Sequence, residues 1–246
     1  LKLFEAKLKN NLRYMRNQLL TYTSRLTDYL RVFYRIPKDE GTSRPRALQS
    51  IEEEILAVAV IQVLGKTVQE LMSRNYGYRL EVGGKTEYLY RPWFRSFGRF
   101  RDAARKTIFG SDKGAYVLRA DIKNFYPSIS QEKLLKAVFE KFRIQPSSRA
   151  AWLIRQLIIR HENDKDSGIL QGPLASGFWA NLYLLDLDHK FSDDYREATL
   201  FRYVDDIVFV VRSLEAAGQV REDLIVQAKA LDLKLSPDKT DSTPEP

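Results

Sequence analysis

Three aspartates stand where an aspartate is costly. Asp121 closes the run Val117-Leu-Arg-Ala-Asp121, and Asp205 with Asp206 interrupts Leu200-Phe-Arg-Tyr-Val-Asp-Asp-Ile-Val-Phe-Val-Val211. A carboxylate inside such apolar strands needs something to compensate its charge. A tight hairpin turn, with each Asp side chain bonded to its own backbone, is one answer, although such turns usually carry Gly or Asn. A divalent cation is the other. If Asp121 ends one strand and Asp205 lies on an adjacent hairpin, the carboxylates converge, and two magnesium ions about 3.5–4 Å apart can sit between them. That arrangement serves phosphoryl transfer. One ion lowers the pKa of an attacking hydroxyl, and the other holds a triphosphate and neutralises the departing pyrophosphate. Such in-line displacement depends on positioning and charge stabilisation more than on acid–base groups.

Composition narrows the ligand chemistry. The 246-residue chain has no cysteine and only His161 and His189, so a disulfide, a thiolate zinc site and a histidine-rich site are excluded. Oxygen ligands remain, and these favour a hard cation such as magnesium, with manganese as a substitute. A net charge of +8 and a pI near 9.5 point to a polyanionic partner, or simply to a basic soluble protein. No run of about twenty apolar residues exists, so no membrane span is expected. The charged N-terminus is no signal peptide, and a cytoplasmic location is expected. The missing initiator Met points to a trimmed start.

The elements that must position the aspartates follow from periodicity. Phe4, Leu8, Leu12, Met15, Leu19, Tyr22, Leu26 and Tyr29 recur at steps of three and four, which predicts one long amphipathic helix over residues 1–30. Residues 31–48 read as a strand, a polar turn around Gly41 and a returning strand. Ser50 opens a helix with Glu52, Glu53 and Glu54 in its first turn and an apolar body from Ile55 to Met72. Trp93, Phe94, Phe97 and Phe100 fall on one helical face, where core packing is the favoured reading over base stacking. Arg95, Arg99, Asp102 and Lys106 fall on another face, and the arginines there can track phosphates. Helices are further predicted over 131–142, 147–160, 173–191 and 214–231, a hairpin over 200–212, a short strand near 233–235, and a frayed tail from Asp238. Strand, helices, hairpin, helix and strand in that order imply an α+β architecture: an antiparallel sheet with helices on one face.

On these motifs the chain resembles reverse transcriptases. The carrying segments are Ala120-Asp-Ile-Lys-Asn-Phe-Tyr-Pro-Ser-Ile129, Gly168-Ile-Leu-Gln-Gly-Pro-Leu-Ala-Ser176 with Ala180-Asn-Leu-Tyr183, and Tyr203-Val-Asp-Asp206. Their order and separation are similar to the bacterial branch of group II intron and retron enzymes. The Tyr76-Gly-Tyr-Arg79 and Arg91-Pro-Trp-Phe94 segments are closest in wording to abortive-infection and defence enzymes. The resemblance covers residues 34–240 and implies the fingers and palm of a right-hand polymerase. It implies an N-terminal extension over 1–30, fingers over 31–113, palm over 114–130, fingers and palm helices over 131–167, and palm again over 168–246. A thumb or other domain would lie on a missing segment.

The same resemblance implies roles. Asp121, Asp205 and Asp206 would be catalytic and, with the Ile122 carbonyl, would hold the two ions. Tyr126 would close off the 2′-position of the incoming sugar and so favour deoxynucleotides; ordinary palm packing is the other reading. Gln171 and Gly172 would lie beside the nucleotide, the glycine permitting close backbone approach. Lys38 and Arg44 or Arg46 would hold the triphosphate, and Lys239 would stand near the pyrophosphate as a proton donor; apart from the resemblance, Arg91, Arg95 and Arg99 are the candidates to meet nucleic acid. The implied partners are an RNA template, a DNA or RNA primer and dNTPs. Template-independent or protein-primed DNA synthesis, and an RNA-binding scaffold without polymerisation, are the alternatives. Gly177 departs from the pattern, since many bacterial relatives carry proline there.

Overall fold

A computed structural model of the chain describes residues 2–21, 32–37, 41, 43–71, 74–81, 88–110, 115–159, 168–191, 195–236 and 241–244. The expected N-terminal helix is two helices, α1 (Lys2–Ala6) and α2 (Leu8–Thr21). They part at Lys7, where the Asn11 amide donates to the Phe4 carbonyl at 2.9 Å. Of the apolar stripe, Met15 is buried while Leu8 and Leu12 stay exposed; the remainder of the stripe, from Tyr22, lies outside the described residues. β1 (Val32–Pro37) and β2 (Ser43–Leu48) then form the expected antiparallel hairpin, with Ile36 opposite Arg44 and Tyr34 opposite Arg46.

α3 (Ile51–Leu71) starts at a reciprocal cap. The Ser50 hydroxyl accepts the Glu53 N–H at 3.1 Å, and the Glu53 carboxylate accepts the Ser50 N–H at 3.3 Å. α4 (Trp93–Phe109) precedes β3 (Tyr116–Asp121) and the single turn α5 (Phe125–Ser128). Ser130 and Ser148 cap α6 (Gln131–Lys141) and α7 (Arg149–Ile158) by accepting the N–H groups of Lys133 and Ala151. The helix expected over 173–191 divides at Leu184 into α8 (Leu174–Tyr183) and α9 (Leu185–Lys190). α8 is buried along its length after Leu174, and α3 packs against it.

β4 (Ala198–Tyr203) and β5 (Asp206–Val211) form the acidic hairpin, and Ser213 caps α10 (Leu214–Ala230) behind it. The sheet has the order β4-β5-β3-β6, every pair antiparallel. Its last member, β6 (Asp241–Pro244), pairs with Tyr116–Arg119, so the tail is an edge strand rather than frayed. The short strand expected near 233–235 is a single bridge from Leu235 to Ile122.

Alternation divides the sheet. Leu118, Ala120, Leu200, Ile207 and Phe209 point into the main core, against which α10 buries Val220 and Leu224. Phe201 and Val210 point the other way, where α4 lays Phe100 and Ala104 over them. The α+β architecture is therefore present, and α4 extends helical cover onto part of the second face. Packing accounts for part of the α4 aromatic stripe: Phe100 is buried and Phe97 meets Phe100 and Tyr203, but Trp93 and Phe94 are 71 and 58 % exposed. The first turn of α4 reaches past the sheet, and Trp93 and Ser96 line a cavity beside the acidic turn instead.

Candidate active site

The acidic hairpin turns over two residues, Val204 and Asp205, with Tyr203 opposite Asp206. Val204 has φ +60°, a left-handed conformation that a β-branched residue adopts only when its surroundings enforce it. The enforcing groups are buried. Arg202, fully buried, donates through Nη1 to the Val204 carbonyl at 2.8 Å and to Asn181 Oδ1 at 3.0 Å, while the Asp188 carboxylate accepts hydrogen bonds from its Nε and Nη2. Asn181 in turn donates to the Gly77 carbonyl at 2.9 Å, and Asn75 bonds Gly77 from both sides. The turn reading of the acidic pair thus holds in part, because the Asp205 carboxylate accepts its own backbone N–H.

Strand pairing then brings the third carboxylate in: Asp121 is the cross-strand partner of Asp206. Its Oδ2 accepts the Ser236 hydroxyl at 2.8 Å and its carbonyl accepts the Ser236 N–H at 2.7 Å, which pins the end of β3. Burial raises the Asp205 carboxyl to about 6, with the charges of Asp206 and Asp121 adding to it and Arg44 opposing it. Among the described residues, no three His, Asp or Glu side chains close into a finished metal cage. The donor set nevertheless fits a hard cation, since it is all carboxylate and leaves Asp205 with repulsion that a cation would relieve.

Two hollows meet at Asp206. A cavity of about 350 Å³ is lined by Arg44, Arg46, Tyr126, Gln171, Asp205 and Asp206, among others. Arg44 and Arg46, two apart on β2, share one face of the strand. Arg46 Nε is buried with no hydrogen-bond partner. The Ala47 N–H bonds the Gln171 carbonyl at 2.8 Å, and Gly172, at φ +132°, lies so close that a Cβ would stand 2.3 Å from the Ala47 carbonyl oxygen. The glycine's close approach is therefore to the β2 backbone. Tyr126 is buried at the back of the cavity, and burial pushes its phenol far above the usual range. The second hollow, about 640 Å³, runs between α4 and the sheet past Asp121, with Arg101, Arg105 and Arg119 on its walls.

The other sequence candidates are dispersed. Arg91 lines the first cavity and stands 3.6 Å from Glu81. Arg95 and Arg99 are exposed on α4, Arg95 with its guanidinium 6.0 Å above the Phe94 ring. Ile122 is buried beside Leu235. Lys38, Lys239 and His161 lie outside the described residues. Sequence reasoning missed the Asp188–Arg202 pair and its amide partners. The signal was available, because Arg202 interrupts the same apolar strand as the aspartates and raises the same question of a partner.

The family model described as "Reverse transcriptase (RNA-dependent DNA polymerase)" matches residues 36–246. No curated protein matches the chain. Among solved structures, the fold is similar to apo telomerase from Candida tropicalis truncated from the C-terminal domain, at 15 % identity and TM-score 0.60, over 93 % of this chain and 54 % of that one. It is also similar to telomerase from Candida albicans in complex with a fragment of telomeric RNA, at 16 % identity and TM-score 0.58, over 90 % and 43 % of the two chains. The chain thus spans about half the length of these telomerases. With a family match over most of its length, and the motif aspartates brought together at one end of an antiparallel sheet, the chain belongs to the reverse transcriptase family.

Proposed function

We propose that the chain is the fingers and palm of an RNA-directed DNA polymerase that adds deoxynucleotides to a primer. The observation that carries this is the pairing of Asp121 with Asp206 beside a cavity holding Arg44, Arg46 and Tyr126. Asp121, Asp205, Asp206 and the Ile122 carbonyl would hold two magnesium ions, which when bound supply the charge neutralisation that phosphoryl transfer needs. The remaining work falls to the chain. Arg44 and Arg46 face the cavity from one strand and would hold the triphosphate, and the unpartnered Nε of Arg46 suits an anionic oxygen. Lys38 and Lys239 would add to this charge. Tyr126 would stand against the sugar, where its ring leaves room for hydrogen but not for a 2′-hydroxyl. Gln171, held by Ala47, would contact the nucleotide beside Gly172.

The hollow under α4, walled by Arg101, Arg105 and Arg119 and ending at Asp121, suits the end of a primer strand. Arg91, Arg95 and Arg99 would follow the template–primer backbone. Residues 31–113 would serve as fingers, the helices of 131–167 as part of fingers and palm, and the four-stranded sheet as palm. The wording of the Tyr76–Arg79 and Arg91–Phe94 segments supports a place in the bacterial, defence-like branch.

Primer extension on an RNA template with dNTPs and magnesium tests the reading. Extension is expected, and Asp205→Ala should lower its rate to below about a thousandth. Undiminished synthesis by that variant would contradict the assignment.

A further inference from the structure

Tyr78 is held in place more tightly than an exposed loop side chain requires. Its φ is +49°, a left-handed conformation unfavourable for an aromatic residue. The turn behind it is fixed by Asn75 and Asn181, which both donate to the Gly77 carbonyl, at 2.8 and 2.9 Å. Gly77 in turn packs on Val204, so closely that a Cβ would stand 2.6 Å from Val204 Cγ2. The turn bearing Tyr78 and the turn bearing Asp205 are therefore braced on each other.

The ring itself is seated. A Cβ on Gly177 would lie 2.3–2.5 Å from three of the Tyr78 ring carbons, so the ring rests on the bare face of the glycine. Tyr90 meets the ring edge-on at 5.3 Å. The Tyr78 phenol acts on that of Tyr126 and helps to raise it, and both rings line the cavity that Asp205 and Arg44 share. This gives the departure at position 177 a physical reason: neither proline nor alanine leaves room for Tyr78 there.

We propose that Tyr78 is a specificity-determining residue of the nucleotide pocket, completing with Tyr126 a two-ring wall that decides which sugar enters. It rests on the polymerase reading above. Tyr126 blocks one position only if its ring cannot swing aside. Tyr78, fixed by its own backbone and by Gly177, is the group that prevents the swing. A hydrogen bond between the two phenols would transmit that restraint without adding bulk at the sugar.

The test compares dGTP with GTP on the full chain, by calorimetric binding with magnesium and by single-nucleotide incorporation opposite cytosine. Tyr78→Phe removes one hydroxyl and should narrow the dGTP preference by about two- to tenfold. The loss should appear mainly in KM and in the binding constant, with kcat for dGTP little changed. Tyr126→Phe should narrow it comparably, and the double variant should lose no more than either single one, because both remove the same bond. Gly177→Ala should shift the preference in the same direction by displacing the ring. An unchanged preference in both Tyr78→Phe and Gly177→Ala, or additive losses in the double variant, would overturn the proposal. A wild-type chain that binds neither nucleotide would instead sink the polymerase reading, and this proposal with it.

Discussion

Burial, reinforced by Asp206 and Asp121, lifts the Asp205 carboxyl to about 6 from the 3.8 of an unperturbed aspartate. Between those values the folded chain holds more of this proton than the unfolded chain does. Stability from this group is therefore greatest at low pH and falls as pH rises from about 4 through 6. The melting temperature of the metal-free protein is accordingly expected to rise as pH is lowered from 7 to 5. Asp205→Asn should flatten that rise and melt higher than wild type at pH 7. Calorimetric scans at several pH values check this, and a wild-type profile parallel to that of the variant would contradict it. Arg44 and Arg46 act on the same pocket with opposite charge. Replacing either with alanine should raise the KM for dNTPs about ten- to a hundredfold, as loss of a charge-assisted bond implies. Steady-state kinetics read this directly, and an unchanged KM in both would remove them from the triphosphate. The aspartates were legible because a charge in an apolar strand demands an explanation. Tyr78 was not legible, because neither its backbone angle nor its seat on Gly177 is written in local sequence.

Local chemistry announced several elements. The turn residue Gly41 between two strands, the Ser50–Glu53 cap of α3 and the Ser213 cap of α10 each name their own boundary. What periodicity could not give is what lies against a face. Trp93 and Phe94 share a helical stripe with Phe97 and Phe100, yet they stay exposed while the latter two pack against Tyr203 of the sheet. The tail, polar in composition, gains its strand from the open backbone edge of β3. Two substitutions test how elements hold the site. Asp188→Ala strands the fully buried Arg202 guanidinium and should cost about 3–5 kcal/mol in urea unfolding. A loss under about 1 kcal/mol would show that the buried pair does not brace the acidic turn. Gly172→Ala puts a side chain 2.3 Å from the Ala47 carbonyl at φ +132°. It should push β2 away and raise the KM for dNTPs, and wild-type kinetics would contradict that contact.

At the scale of the molecule, the basic hairpin is tied to the segment before α8, where the Ala47 N–H donates to the Gln171 carbonyl and Gly172 lies against Ala47. The overall charge of +8 suits a polyanion at large, while the negative charge is gathered where strands β3 and β5 meet. Antiparallel pairing is what makes residues 121 and 206 neighbours, and a slip of one residue would turn Asp121 to the core side. That the motifs sit on strands of one sheet was inferable from their apolar flanks; the register was not, since it is set by the whole hairpin. The central claim is that these carboxylates together hold divalent metal. Titration of manganese into the full chain, followed by electron paramagnetic resonance, measures this without template, primer or turnover. Wild type should bind manganese more tightly with dNTP present, and Asp121→Asn with Asp205→Asn should abolish that binding. Manganese held equally well by the double variant would contradict the account.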